Sequence, residues 1–425
     1  MKSIKIIAFL LNLLLFLLIL ANTSHAQEET AQDTTKTTIT IDAPDTLAFD
    51  KEEMTGKYAD ISPLDIGSDR GLFILSADRL LELRILGSIR ANFNYTSQDM
   101  PNNESFNPYE IPVDKSTYSF NYYAGVKQTR LGFEVIRRTR ERGDIFFRLE
   151  ADFLQLNGVF RLRHAYGQFG NFLFGKTWSL FNTIGYQPAM VSFDGSATGC
   201  GLRTPQLRYT HQINETLAWN VAIEYSQPTF IQPDTIAGEL LQVIPDFTGR
   251  FSYTREKISF RIAIIGNVIT GRRSNGEIEY LPIYGGSFAA RVSLWKAATG
   301  YMSISGGKGI SRFIDMFSGK SGDIIYNPGT DKFEALGMLT TYLAIGQNLP
   351  EDLSLSAGFG YAVLENKPFQ LDTDFNIAFD LMLNLFWNPV AGARFGIEYA
   401  FGRRYDKDDD HGNATRLSAL IIYDF

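Results

Sequence analysis

Cysteine is almost missing from this chain: Cys200 is the single one in 425 residues, which excludes a framework of intrachain disulfides and leaves stability to the fold itself. Histidine is nearly as scarce. Beyond residue 26 only His164, His211 and His411 occur, and none has a serine and a carboxylate at a matching height along a neighbouring strand. Nucleophilic catalysis needs such a trio, so no enzyme is expected. After residue 21 no stretch approaches the roughly 18 uninterrupted apolar residues of a spanning helix. An excess of basic charge is absent too; the net charge of −7 argues against a nucleic-acid partner. The acidic run at 405–412 lacks the glycine and the later glutamate of a calcium loop of the EF-hand type. It reads as a solvated loop, and neither metal nor cofactor is expected.

What the N-terminus does have is Lys2 and Lys5, an apolar stretch from Ile6 to Ala21 broken by Asn12, and small residues at Ser24 and Ala26. This is the form of a secretory signal (residues 1–26) cleaved after Ala26. No basic stop-transfer cluster follows, which disfavours a retained anchor, and no cysteine stands at the cleavage site to carry a lipid. Residues 27–80 come next. Up to about residue 60 they are rich in Thr, Asp and Glu and poor in large apolar groups, too few to offset the entropy of ordering. They are expected to form a flexible periplasmic extension.

From 81 to 425 apolar and polar residues alternate. Ile145, Phe147, Leu149, Ala151 and Phe153 alternate with Arg148, Glu150 and Asp152, and Phe375, Ile377, Phe379, Leu381, Leu383 and Leu385 alternate with Asp374, Asn376, Asp380 and Asn384. Period two is the strand period. With 33 Phe and 37 Gly, the chain suits many strands with bulky outward groups and turns between them. About sixteen segments show the pattern, near 83–95, 126–137, 144–155, 158–169, 171–178, 205–212, 216–227, 246–255, 257–268, 285–296, 299–308, 333–347, 352–363, 372–386, 391–402 and 414–425. They run roughly nine to eleven residues or more in all but two cases, the length a tilted strand needs to cross a bilayer. Connections alternate short and long, except for a short one at 156–158. A sheet in hydrocarbon must close, because an open edge leaves amides without partners. The expected fold class is therefore all-β, a transmembrane antiparallel barrel of about sixteen strands, apolar outside and polar within. The last strand puts Leu417, Ala419, Ile421, Tyr423 and Phe425 on one face. Such an ending is similar to the signal that Gram-negative outer-membrane barrels present to the barrel assembly machinery. The expected surroundings are outer-membrane lipid and lipopolysaccharide.

Five stretches carry a more specific likeness: 129–133 (TRLGF), 147–153 (FRLEADF), 160–168 (FRLRHAYGQ), 173–179 (LFGKTWS) and 203–209 (RTPQLRY). Over about residues 80–260 the chain resembles the DcaP-like porins; Lys176 stands where glutamine is expected. The resemblance implies a homotrimeric sixteen-stranded channel for passive diffusion of small anionic solutes, dicarboxylates among them. The family's extension is often coiled-coil-like, and residues 27–60 show no heptads.

Strand parity assigns Arg130, Arg148, Arg161, Arg163, Lys176, Arg208, Arg250, Arg261 and Arg291 to the lumen, with Arg84 and Arg90. The nearby acids of the same parity are fewer: Glu134, Glu150, Asp152 and Glu224. A wall of guanidinium groups in low-dielectric surroundings concentrates anions, and its planar forks suit carboxylates. The competing reading is a salt-bridge lattice that only stiffens the barrel. Residues 179–204 form the third external loop, which in general porins folds into the channel. By analogy Phe193 and Asp194 are expected at a constriction facing Arg130, Arg148, Arg161 and Arg163. His164 and Tyr166 are expected on the outward face of the fourth strand, at a subunit interface. A non-conducting structural or adhesin barrel is the alternative; an active transporter would need about 22 strands and a plug, too much for this length.

Overall fold

The computed structural model describes residues 71–425 apart from 115–118, 140–142, 156–157, 232–238, 274 and 321. The expected signal peptide, and the extension as far as residue 70, lie outside the described residues. Sixteen antiparallel strands form one closed wall. The first eight are β1 (Leu81–Thr96), β2 (Asn121–Gly125, continued by Arg130–Arg137), β3 (Ile145–Asp152), β4 (Arg161–Phe169), β5 (Phe172–Trp178), β6 (Arg203–Gln212), β7 (Leu217–Glu224) and β8 (Asp246–Arg255). The rest are β9 (Ile258–Arg272), β10 (Ile278–Trp295), β11 (Ala298–Lys308), β12 (Gly337–Leu349), β13 (Leu353–Leu364), β14 (Phe375–Val390), β15 (Ala393–Asp406) and β16 (His411–Asp424).

Each strand pairs with its neighbours in sequence, and β16 returns to β1 with Ser88 opposite Asp424 and Thr96 opposite Arg416. The terminal residue takes part in the closure: Phe425 and Gly87 exchange two backbone hydrogen bonds of 2.9 Å. The Phe425 ring lies on Gly87, where any Cβ would stand 2.1 Å from it. A short strand, Leu72–Leu75, pairs with residues 82–85 of β1 and continues the line of β16 beyond Phe425.

Exposure is inverted relative to a water-soluble sheet. On β3 the apolar Phe147 and Leu149 are 43% and 47% exposed, whereas Glu150 and Asp152 are 1% and 0% exposed. That is what a lipid-facing exterior and a polar interior require. No helix among the described residues is long and apolar enough to cross a membrane.

Three long connections turn inward, and the one after β1 buries Met100, Phe106 and Ile111 against Met382 of β14, Ala400 of β15 and Ala414 of β16. Residues 309–336, between β11 and β12, bury Ile310, Phe313, Ile314, Met316 and Phe317 against Ala263 and Ile265 of β9, Ile283 of β10, and Ala362 and Leu364 of β13. Residues 179–202, between β5 and β6, add Phe181, Ala197 and Cys200 to this cluster. The molecule's largest apolar core therefore sits inside the barrel, toward the long-loop end and against β9–β14. The opposite inner wall, β1–β8, is mostly polar, with one small apolar cluster of Ile136, Phe146, Tyr166 and Leu173.

Candidate functional site

The polar wall begins as a chain of alternating charges across β1–β4. Arg84 reaches Glu82 at 3.0 Å and Glu134 at 3.1 Å, and Arg148 links Glu134 at 3.0 Å to Glu150 at 2.5 Å. Arg163 continues from Glu150 at 2.6 Å to Asp152 at 3.1 Å. Arg161 closes the chain with two hydrogen bonds to Asp152, 2.9 and 2.7 Å long. A buried carboxylate in low dielectric demands such partners. Much of the guanidinium charge expected to form a bare basic wall is thus engaged by acids of the same wall, as the lattice reading requires. The chain ends at Arg161, whose side chain is 38% exposed, against 1% for Arg163.

The difference between those two arginines comes from a bulge. Asp152 lies opposite Arg161 and Ala151 opposite Leu162, but Glu150 lies opposite His164, so Arg163 is an extra residue in β4. One inserted residue reverses the facing of everything beyond it. His164 and Tyr166 therefore turn inward, which corrects their expected place on an outer interface. His164 Nδ1 is 3.0 Å from Thr177 Oγ1, and Tyr166 packs with Ile136, Phe146 and Leu173 inside the barrel. Lys176 is also corrected. It lies opposite Ala165 and Pro205 and shares the outward face of Phe172 and Phe174, both exposed. Phe172, Phe174 and Lys176 share the outward parity of β5, so Lys176 does not line the lumen.

The remaining arginines divide by task. Arg208 donates to Gln206 at 3.0 Å and to the Trp178 carbonyl at 2.5 Å, holding the start of the 179–202 loop. Arg261 donates to Asn182 Oδ1 at 3.3 Å and the Ile184 carbonyl at 3.1 Å, and its guanidinium lies 4.8 Å from the Tyr186 ring. Arg250 donates to Asn220 at 3.3 Å. Arg291 stands opposite Ser259 and Tyr301 near the short-turn end and is exposed. Arg208 and Arg261 are thus loop anchors as well as lumen residues.

The loop so anchored crosses to the far wall. Val191 N–H donates to Asn384 of β14 at 2.9 Å, Ser192 N–H to Glu398 of β15 at 3.2 Å, and Ser356 of β13 donates to the Ala189 carbonyl at 3.4 Å. Phe193 then returns toward the polar wall: the guanidinium carbons of Arg130, Arg163 and Arg161 stand 5.4, 5.3 and 5.6 Å from its ring centre. A ring face attracts these cations without consuming their N–H donors. Asp194 accepts a hydrogen bond from Ser105 at 2.6 Å. Phe193, Asp194, Arg130, Arg163, Arg203 and Asp315 border a recess of about 540 Å³, its open mouth included.

Two of these residues escaped the parity argument. Arg203 begins β6, where its guanidinium lies 3.5 Å from the Trp178 ring; strand parity is no guide at a strand end. Asp315 belongs to the 309–336 connection, which reads as an outer loop. The density of large apolar residues in Ile310–Phe317, five in eight, was the available signal, since exposing them would be costly.

With this geometry the relatives can be placed. Residues 69–253 match the family model described as DcaP outer membrane protein. Over those residues the chain resembles this family, and the whole wall is a closed sixteen-stranded barrel. The solved structures agree with that likeness in fold. The crystal structure of the outer membrane channel DcaP of Acinetobacter baumannii superposes with a TM-score of 0.72 at 18% identity, over 83% of this chain and 99% of that one. An anion-selective porin from Comamonas acidovorans gives 0.54 at 12% identity, over 81% and 100%. At these identities the likeness is one of fold. No curated protein matches the chain.

Proposed function

We propose that this outer-membrane barrel is a passive diffusion channel for small hydrophilic solutes, preferentially anionic ones such as dicarboxylates, narrowed by the 179–202 loop. The observation that carries the reading is the cluster of Arg130, Arg161 and Arg163 around Phe193, at the recess where the loop meets the polar wall. An anion there exchanges hydration for guanidinium contacts, and binding stays weak enough for release because acids of the wall already share those groups. The channel works as a homotrimer after export by its signal peptide, with the long loops outside, the extension before the Leu72–Leu75 strand in the periplasm and Phe425 read by the assembly machinery. Lipopolysaccharide and lipid contact the outer face.

Solute-driven swelling of liposomes carrying the purified barrel tests this. Small mono- and dicarboxylates should enter faster than neutral sugars of equal size, and amines slower. Equal rates for all three at matched size would remove the charge preference. The alternative, a non-conducting structural barrel, draws on the apolar core that two of the inward loops build inside the wall. No swelling with any solute would favour it.

A further inference from the structure

The recess has a second loop in its wall. Gly201 N–H donates to the Phe313 carbonyl at 3.2 Å, Asp315 N–H to Gly199 at 2.9 Å, and Met316 N–H to Ala197 at 2.6 Å. These two inward loops are thus laced together by backbone hydrogen bonds. Phe313, Ile314, Met316 and Phe317 are fully buried beside the lacing and fix it in place. The lacing brings the Asp315 carboxyl over the bare Cα of Gly201, where a Cβ would stand 2.4 Å from Oδ1. Asp315 shares the recess with Asp194, Arg130, Arg163 and Arg203.

We propose that Asp315 is a specificity-determining residue of the channel: with Asp194 it offsets the guanidinium field of the recess and so sets how strongly anions are preferred. The inference rests on the anion-channel reading above. The charged groups that face Asp315 are Asp194 from the 179–202 loop, Arg203 from β6, and Arg130 and Arg163 across the recess from β2 and β4. Burial first, then Asp194, holds its carboxyl well above the usual carboxylate range, against an opposing pull from Arg203. In acid the group is neutral and the recess at its most positive. As pH rises and Asp315 ionises, a negative charge enters the recess and the preference for anions falls.

The test uses the full-length channel in a planar bilayer under a low-salt potassium chloride gradient. Reversal potentials of the wild type and Asp315→Asn are measured from about pH 5 to about pH 9. The wild-type ratio of anion to cation permeability should fall by about twofold or more as pH rises, and Asp315→Asn should keep its acid-side value throughout. Curves that overlay at every pH, both anion-selective, overturn the inference alone. A wild type without anion preference at any pH overturns the anion-channel reading and this inference with it. Should Asp315→Asn fail to insert, Gly201→Ala serves: its methyl displaces the carboxyl without removing it. It should flatten the wild-type pH curve, and an unchanged curve overturns the inference.

Discussion

Arg161 and Arg163 stand two residues apart in one strand and do different things, because one is a paired strand residue and the other a bulge. Arg163 is buried between Glu150 and Asp152. Removing one partner of a buried ion pair costs about 3–5 kcal/mol, so Arg163→Ala should lower the denaturant midpoint of the barrel markedly. An unchanged midpoint would mean that the lattice contributes no stability. His164, turned inward on Thr177, is expected to matter for packing and not for assembly: His164→Ala should leave the chemical cross-linking pattern of the barrel as it is, and loss of a cross-linked species would put the residue back at an interface. Cys200 is fully buried, and burial pushes its thiol up to about 12. Reaction needs the thiolate, so a water-soluble maleimide should label Cys200 only after denaturation; labelling of the folded barrel would show that the laced loops open.

At the scale of elements, the 179–202 loop is a strap fastened at both walls. Arg208 and Arg261 hold its first limb at β6 and β9, and Asn384 and Glu398 hold its crest at β14 and β15. Truncating Arg261 to alanine should free one limb, raising single-channel conductance and current noise. Quiet currents of wild-type size would show that the other fasteners suffice. The strands themselves were legible in the sequence because lipid imposes a strict period of two: β3, β14 and β16 fall within a few residues of the segments drawn from alternation. β9 and β10 run further than their apolar pattern, to Arg272 and from Ile278, since backbone pairing outlasts alternation at a hairpin tip. The bulge in β4 was not legible. Nothing in Arg161-Leu162-Arg163-His164 marks which residue is extra; the decision lies in Glu150 and Asp152 across the strand gap, which bind Arg163 from both sides. The inward turn of 309–336 left a trace in its dense apolar residues, but its lacing to 197–201 is a backbone contact without a side-chain pattern.

For the whole molecule, closure by β16 and β1 makes a wall with two unlike inner halves: a mostly polar one on β1–β8, and one on β9–β14 covered by loops and apolar groups. On the proposed function, solute passing between them meets charges that are mostly paired, and selectivity then depends on the few guanidinium groups that face the recess and the open lumen. Arg161, the exposed end of the charge chain, is the most accessible guanidinium of that chain. Lumen charges are screened over about 8–10 Å near physiological salt, so their effect is largest in dilute electrolyte. The most direct measurement is the zero-current potential of single channels in a dilute potassium chloride gradient, wild type against Arg161→Gln. The account predicts an anion-selective wild type whose preference falls in the variant and converges with it as salt rises. A cation-selective wild type, or potentials that coincide in dilute salt, would contradict it.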